Sequence, residues 1–196
     1  MRILGIDPGL RLTGYGCIEP CSGGGFAGYS IVEAGVFRLL KRSAKLGASD
    51  ADDVDQEEGI GPEVSDPLGI ERVAVRSVSE RLMELDRDFR ELLARVRPQM
   101  VAIEGLFSHY KHPATAIVMG HARGVLLLAV RQAGMTLVEI KPAEVKKSLT
   151  GFGQSGKGQM QRAIAAEFGL AEPPSPPDVA DALAIALCAA RRRALV

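Results

Sequence analysis

Three cysteines, Cys17, Cys21 and Cys188, are odd in number and form no Cys-x-x-Cys pair, which excludes a disulfide framework and a zinc ribbon. No apolar run approaches the ~18 residues that mark a membrane span. The opening stretch Met1-Arg2-Ile3-Leu4-Gly5-Ile6-Asp7 has a charge inside a short apolar run and no small-residue cleavage site, so no signal peptide is read there. The expected location is the cytoplasm, with no membrane partner. Internal repeats are absent, and the formal net charge is zero. What is present is the mix of an ordinary globular protein: 196 residues, 46% apolar and 24% charged. That length suits a single domain, expected to span residues 1–196, with a core large enough to need no staples.

The zero net charge hides a segregation. Residues 46–71 hold nine acids (Asp50, Asp52, Asp53, Asp55, Glu57, Glu58, Glu63, Asp66 and Glu71) and no Lys or Arg, which leaves 15 acids against all 24 basic residues elsewhere. A basic surplus fits a polyanionic partner and fits a solvated basic surface nearly as well. The acidic stretch has several Gly and Pro and no apolar periodicity, so it reads as a disordered insertion.

Residues 2–7 and 13–18 read as two strands joined by a turn at Asp7-Pro8-Gly9, with a third strand from Tyr29 to Leu39. After the insertion, Val75, Val78, Leu82, Leu85, Phe89, Leu92 and Val96 recur at steps of three and four and predict an amphipathic helix, which Pro98 stops. Met100-Val101-Ala102-Ile103 predicts a strand buried on both faces. A helix over 113–133, a strand over 135–140 and helices near 142–149, 156–168 and up to Arg193 complete the chain. Three strands followed by strands alternating with helices predict an α/β fold with a mixed sheet and helices on its faces.

Four acids stand out by position. Asp7 and Glu104 each end a predicted strand and meet a turn, and the carboxyl ends of strands face the ligand crevice in open α/β sheets. Asp178 and Asp181 lie three apart at the start of the final helix and share one face. Four carboxylates without a histidine or cysteine make a hard oxygen site suited to Mg²⁺ or Mn²⁺. Two such ions about 4 Å apart support phosphodiester cleavage. Each acid also has a plainer role open to it. Asp7 fits the first position of a turn, and Glu104 fits an exposed residue after a strand. Ser175-Pro176-Pro177-Asp178 matches a capping box with Ser175 as N-cap. Asp181, set among Val179, Ala180, Ala182, Leu183 and Ile185, is the hardest to explain as scaffold.

The stretch from Gly151 to Gly158 has P-loop spacing, but Gly158 stands where the Mg²⁺-binding Ser or Thr belongs, and a helix rather than a strand precedes it. Lys157, in the first turn of a helix, opposes the dipole and suits an external anion such as a backbone phosphate. Lys146 belongs to a basic Lys146-Lys147 pair three turns upstream; solvated surface is the plain reading of both. His109 and His112, with Tyr110 and Lys111, read as a polar loop beside Glu104. Phe107 in that loop suits stacking on an unpaired base or burial in the core.

Gly5-Ile6-Asp7-Pro8-Gly9 with Thr13-Gly14-Tyr15-Gly16, Ala102-Ile103-Glu104 with Phe107, Gly120-His121-Ala122-Arg123-Gly124, and Asp178 through Ala186 (Asp-Val-Ala-Asp-Ala-Leu-Ala-Ile-Ala) occur in an order that resembles the RuvC family, bacterial crossover junction endodeoxyribonucleases that resolve Holliday junctions. The likeness runs along nearly the whole chain apart from the acidic insertion and part of its flank. It implies an RNase H-like fold, a five-stranded mixed sheet flanked by helices, acting as a homodimer on four-way junction DNA. It implies catalytic metal ligands at Asp7, Glu104, Asp178 and Asp181, with two Mg²⁺ per subunit and Mn²⁺ as a substitute; some relatives carry His at the position of Asp178. Phe107 corresponds to the family's base-stacking aromatic, Lys146 and Lys157 to its groove lysines, and RuvA and RuvB are the implied protein partners. Other readings are an RNase H-like nuclease of the YqgF type acting on RNA, an actin-like ATPase, and a catalytically dead junction binder. The ATPase lacks its second phosphate loop and adenosine motif here, and four retained acids oppose the dead binder.

Overall fold

A computed structural model describes residues 1–9, 11–21, 28–38, 77–105, 113–151, 153 and 155–194, without the side chains of 113–115 and 157. The acidic insertion at 46–71 and Phe107 lie outside the described residues. The elements in chain order are β1 (Ile3–Asp7), β2 (Leu12–Pro20), β3 (Tyr29–Arg38), α1 (Val78–Val96), β4 (Met100–Glu104), α2 (Pro113–Gln132), β5 (Thr136–Ile140), α3 (Pro142–Thr150), α4 (Lys157–Phe168) and α5 (Pro177–Ala194).

The strands form one mixed sheet in the order β3-β2-β1-β4-β5. Strands β1, β2 and β3 form an antiparallel meander, while β4 and β5 join parallel to β1. This is the α/β fold expected from the sequence, with a five-stranded mixed sheet flanked by helices. Helices are needed to carry the chain back between β4 and β5, because parallel neighbours require a crossover.

Strand alternation splits the core in two. Ile3, Ala102 and Ile140 face α3, α4 and α5, while Leu4, Ile6, Val101 and Ile103 face α1 and α2. Helix α1 presents Leu85, Phe89, Leu92, Leu93 and Val96 to that second face. Each such side chain contributes about 1.5–3 kcal/mol on burial. The helix opens with a capping box: the Ser77 hydroxyl accepts from the Glu80 N–H at 3.2 Å, and the Glu80 carboxylate accepts from the Ser77 N–H at 2.7 Å. It ends at Arg97, whose left-handed φ of 47° lets its N–H bond the Leu93 carbonyl just before Pro98.

Helix α5 is buried on nearly every side. Val179, Ala180 and every residue from Ala182 to Ala190 are covered, because the sheet lies along one flank and α3 and α4 along the other. It starts at Pro177, and the Pro176 carbonyl accepts from the Val179 N–H. Ser175 therefore stands one residue too early to cap it, which corrects the expected box: of two consecutive prolines, the second takes the first helical position. Among the described residues no helix is long and apolar enough to cross a membrane.

Candidate catalytic site

Asp7 and Glu104 end adjacent parallel strands. Ile6 of β1 pairs with Ile103 of β4, so the next residue on each strand brings the two acids to the same edge of the sheet. Alternation sends both side chains to the α5 face, in line with Ile3 and Gly5 on β1 and with Ala102 on β4.

Two glycines bring α5 to that edge. A Cβ on Gly5 would lie 2.1 Å from the Ala182 carbonyl oxygen and 2.6 Å from the Ala186 nitrogen. One on Gly14 would lie 2.1 Å from the Asp178 carbonyl oxygen. Since Gly14 is the cross-strand partner of Asp7, the first turn of α5 rests directly beside that acid. Only residues without side chains permit this approach. Asp178 and Asp181 are both half-buried, and Asp181 is the one residue between Val179 and Ala190 that is not fully covered.

Electrostatics tie three of these groups together. Burial pushes the Glu104 carboxyl above its ordinary pKa, the Asp181 charge pushes it further, and the Lys146 ammonium on α3 partly offsets both. The folded chain thus brings Asp181 of α5 and Lys146 of α3 within electrostatic reach of Glu104 on β4. Asp7 and Asp178 join them through the backbone contacts above. Among the described residues, no group of three or more His, Cys, Asp or Glu side chains is gathered closely enough to hold a metal ion. The acids share an edge without converging on a point. Their all-oxygen donor set matches what a hard divalent cation takes.

The turn after β1 is closed by Thr13, a fully buried residue whose hydroxyl accepts from the Gly9 N–H at 3.1 Å and donates to the Gly9 carbonyl. This fixes Asp7-Pro8-Gly9 against β2. Sequence reasoning gave Thr13 no role; a polar residue inside the apolar alternation of a central strand was the available signal. Lys157 is the first residue of α4, after the extended Gly156, and its side chain lies outside the described residues. The segment with P-loop spacing lies between α3 and α4 and follows a helix. It lacks the strand that a nucleotide-binding loop requires.

The comparisons with known proteins agree with one another. The family model described as "Crossover junction endodeoxyribonuclease RuvC" matches residues 65–189. A crossover junction endodeoxyribonuclease RuvC of Caldicellulosiruptor saccharolyticus is 36% identical over 188 residues, 96% of this chain and 91% of that protein. Among solved structures, RuvC of Thermus thermophilus superposes with a TM-score of 0.72 at 26% identity, covering 100% of this chain and 96% of that one. The T. thermophilus RuvC in complex with a Holliday junction substrate superposes at 0.71 with 25% identity and the same coverage.

Proposed function

Because the chain belongs to the RuvC family of crossover junction endodeoxyribonucleases, we propose that it resolves four-way DNA junctions by metal-dependent phosphodiester cleavage at the carboxylate edge of its sheet. Asp7, Glu104, Asp178 and Asp181 are the catalytic acids and the ligands of two Mg²⁺ ions, with Mn²⁺ as a substitute. The observation that carries this reading is the placement of Asp7 and Glu104 at the ends of adjacent strands, with the first turn of α5 against Gly14, the cross-strand partner of Asp7.

Held by these carboxylates, divalent cations would supply activation of an attacking water and stabilisation of the leaving oxygen, for cleavage to 5′-phosphate and 3′-hydroxyl ends. The protein's part is placement. Asp7 and Glu104 are anchored on a pair of adjacent strands, and Asp178 and Asp181 on a helix whose backbone packs directly on Gly5 and Gly14. Lys146 sets a positive charge beside the acids, where it attracts the phosphate backbone and moderates their mutual repulsion. By the family resemblance, Lys157 contributes to DNA binding and Phe107 stacks on a base near the crossover.

A junction needs two opposed cuts, and one domain supplies one carboxylate cluster. A two-fold homodimer presents two. Its candidate surface is the outer stripe of α2, where Ile117 and Leu128 are 60% and 56% exposed and a Cβ on Gly120 or Gly124 would meet nothing within 4 Å. Val130 of the same helix is buried in the core. The chain forms one domain carrying the insertion at 46–71, acts in the cytoplasm, and works with RuvA and RuvB.

Incubation with a four-way junction, a linear duplex and an RNA hairpin, each in Mg²⁺ or EDTA, tests this reading. Cleavage of the junction alone, only in Mg²⁺ and abolished by Asp7→Asn with junction binding retained, is the expected result. Preferential cleavage of the hairpin moves the chain to the YqgF type. Normal nicking by Asp7→Asn overturns the site. Mixed dimers of one intact and one Asp7→Asn subunit should nick a junction without resolving it.

A further inference from the structure

Helix α2 carries a buried cation that the catalytic site so far leaves unused. Arg123 is 8% exposed, although its neighbours on the inner face of α2 are Ala122 and Leu126. Burying a guanidinium among apolar groups is costly unless its donors are matched. Its Nε donates to the backbone carbonyl of Glu104 at 3.2 Å. Its NH2 group donates to the Glu139 carboxylate of β5, whose side chain is 57% exposed. The residue after Glu104 is held as well, since the Gly105 N–H donates to the Ile140 carbonyl at 2.8 Å.

These contacts meet at one peptide unit, the last of β4. The Glu104 side chain turns to the α5 face, while Arg123 approaches from the α2 face and holds the same residue's carbonyl. A strand end otherwise pivots where its ladder stops, and any rotation there swings the carboxylate out of line with Asp7 and Asp181. We propose that Arg123 is a positioning residue: it locks the main chain of Glu104 from behind the sheet and so sets the direction of the carboxylate, with Glu139 orienting the guanidinium. This rests on the assignment of Glu104 to the catalytic set.

The test uses Arg123→Met, which keeps the stem and removes every donor, Arg123→Lys, which keeps the charge but not the planar fork, and Glu139→Gln at the exposed end. Single-turnover junction cleavage in Mg²⁺, junction affinity in EDTA and the Mg²⁺-induced rise in melting temperature are measured on each. Losing a residue that orients a ligand costs about 10–100-fold, so Arg123→Met should cleave that much more slowly. Its EDTA junction affinity should stay within about threefold, because no phosphate contact is lost, and its Mg²⁺-induced thermal shift should shrink. Arg123→Lys should recover part of the rate. A cooperatively melting Arg123→Met that cleaves at the normal rate, or that loses affinity and rate in proportion, overturns the proposal. If Arg123→Met does not fold, Glu139→Gln decides: slower cleavage at an unchanged melting temperature supports the lock, and an unchanged rate overturns it. Asp7→Asn run alongside separates the two claims. If it cleaves normally, the site itself is misassigned; if it is inactive while the Arg123 variants cleave normally, only the positioning role fails.

Discussion

The two faces of the sheet are covered by different chemistry. Under α1 and α2 lie Phe89, Leu85, Leu92, Leu93 and Leu126, large side chains that fill the space between helix and strand. Along α5, Ala182 and Ala186 lie against Gly5, Asp178 against Gly14 and Leu183 against Gly16. The first face removes much apolar area from water and keeps its helices at side-chain distance. The second gives up area for close approach of backbone to backbone, and all four candidate catalytic acids lie along it. One face mainly stabilises the fold, and the other mainly sets the positions of charges.

The sharpest way to break that division is to damage each face separately. Phe89→Ala should cost about 3–5 kcal/mol and lower the melting temperature by about 10 °C. Cleavage per folded molecule, measured well below the transition, should not change. Gly14→Ala should lower the melting temperature too, because its methyl group overlaps the Asp178 backbone, but it should also slow cleavage per folded molecule: a shift of about 1 Å at such a site costs roughly 100-fold in rate. Equal losses of rate in the two variants would erase the distinction.

Glu104→Gln probes the electrostatic cost of the second face. The folded pKa of Glu104 lies above its unfolded value. Ionised Glu104 is therefore unfavourable in the fold, a penalty absent below about pH 4.3, the unfolded value, that grows as pH rises through the folded pKa. In metal-free buffer at pH 7 the variant should melt about 2 °C higher than the parent. The two should coincide near pH 4.

The smallest effect is expected at the rim of the first face. The Arg95 guanidinium holds the Glu33 carboxyl below its ordinary pKa, against an opposing contribution from burial. The pair's stabilisation is present above the unfolded carboxyl pKa and is lost as pH falls through the folded one. With Arg95 half exposed, Glu33→Gln should cost about 0.5 kcal/mol at pH 7, and nothing measurable in 1 M salt, where the Debye length is about 3 Å. Denaturant titrations at both salt concentrations check this.

The sequence made Asp7 and Glu104 visible because both the end of an apolar strand and the turn after it are local signals. Asp181 was visible because one charge interrupts a run of apolar residues. The hydrophobic period of α1 likewise showed which side chains it buries. Arg123 was quoted within a motif yet had no role, since its two acceptors come from β4 and β5 and no spacing along the chain announces that meeting. The capping box of α1 was present in the letters Ser77 to Glu80 but stood beside the acidic stretch and went unread. At α5 the pattern misled by one residue because Pro176 and Pro177 are equally suited to start a helix.

Gly5 and Gly14 also determine what kind of measure separates β1 and β2 from α5. Elsewhere in the core, that spacing depends on how particular side chains interlock, so it drifts by fractions of an ångström when a leucine becomes a methionine. Here it is set mainly by main-chain atoms meeting at Gly5 and Gly14. The offset between Asp7 on the strand and Asp178 and Asp181 on the helix therefore works like a gauge block of invariant thickness. The hydrophobic layer on the far side of the sheet is free to be repacked in many ways without recalibrating it.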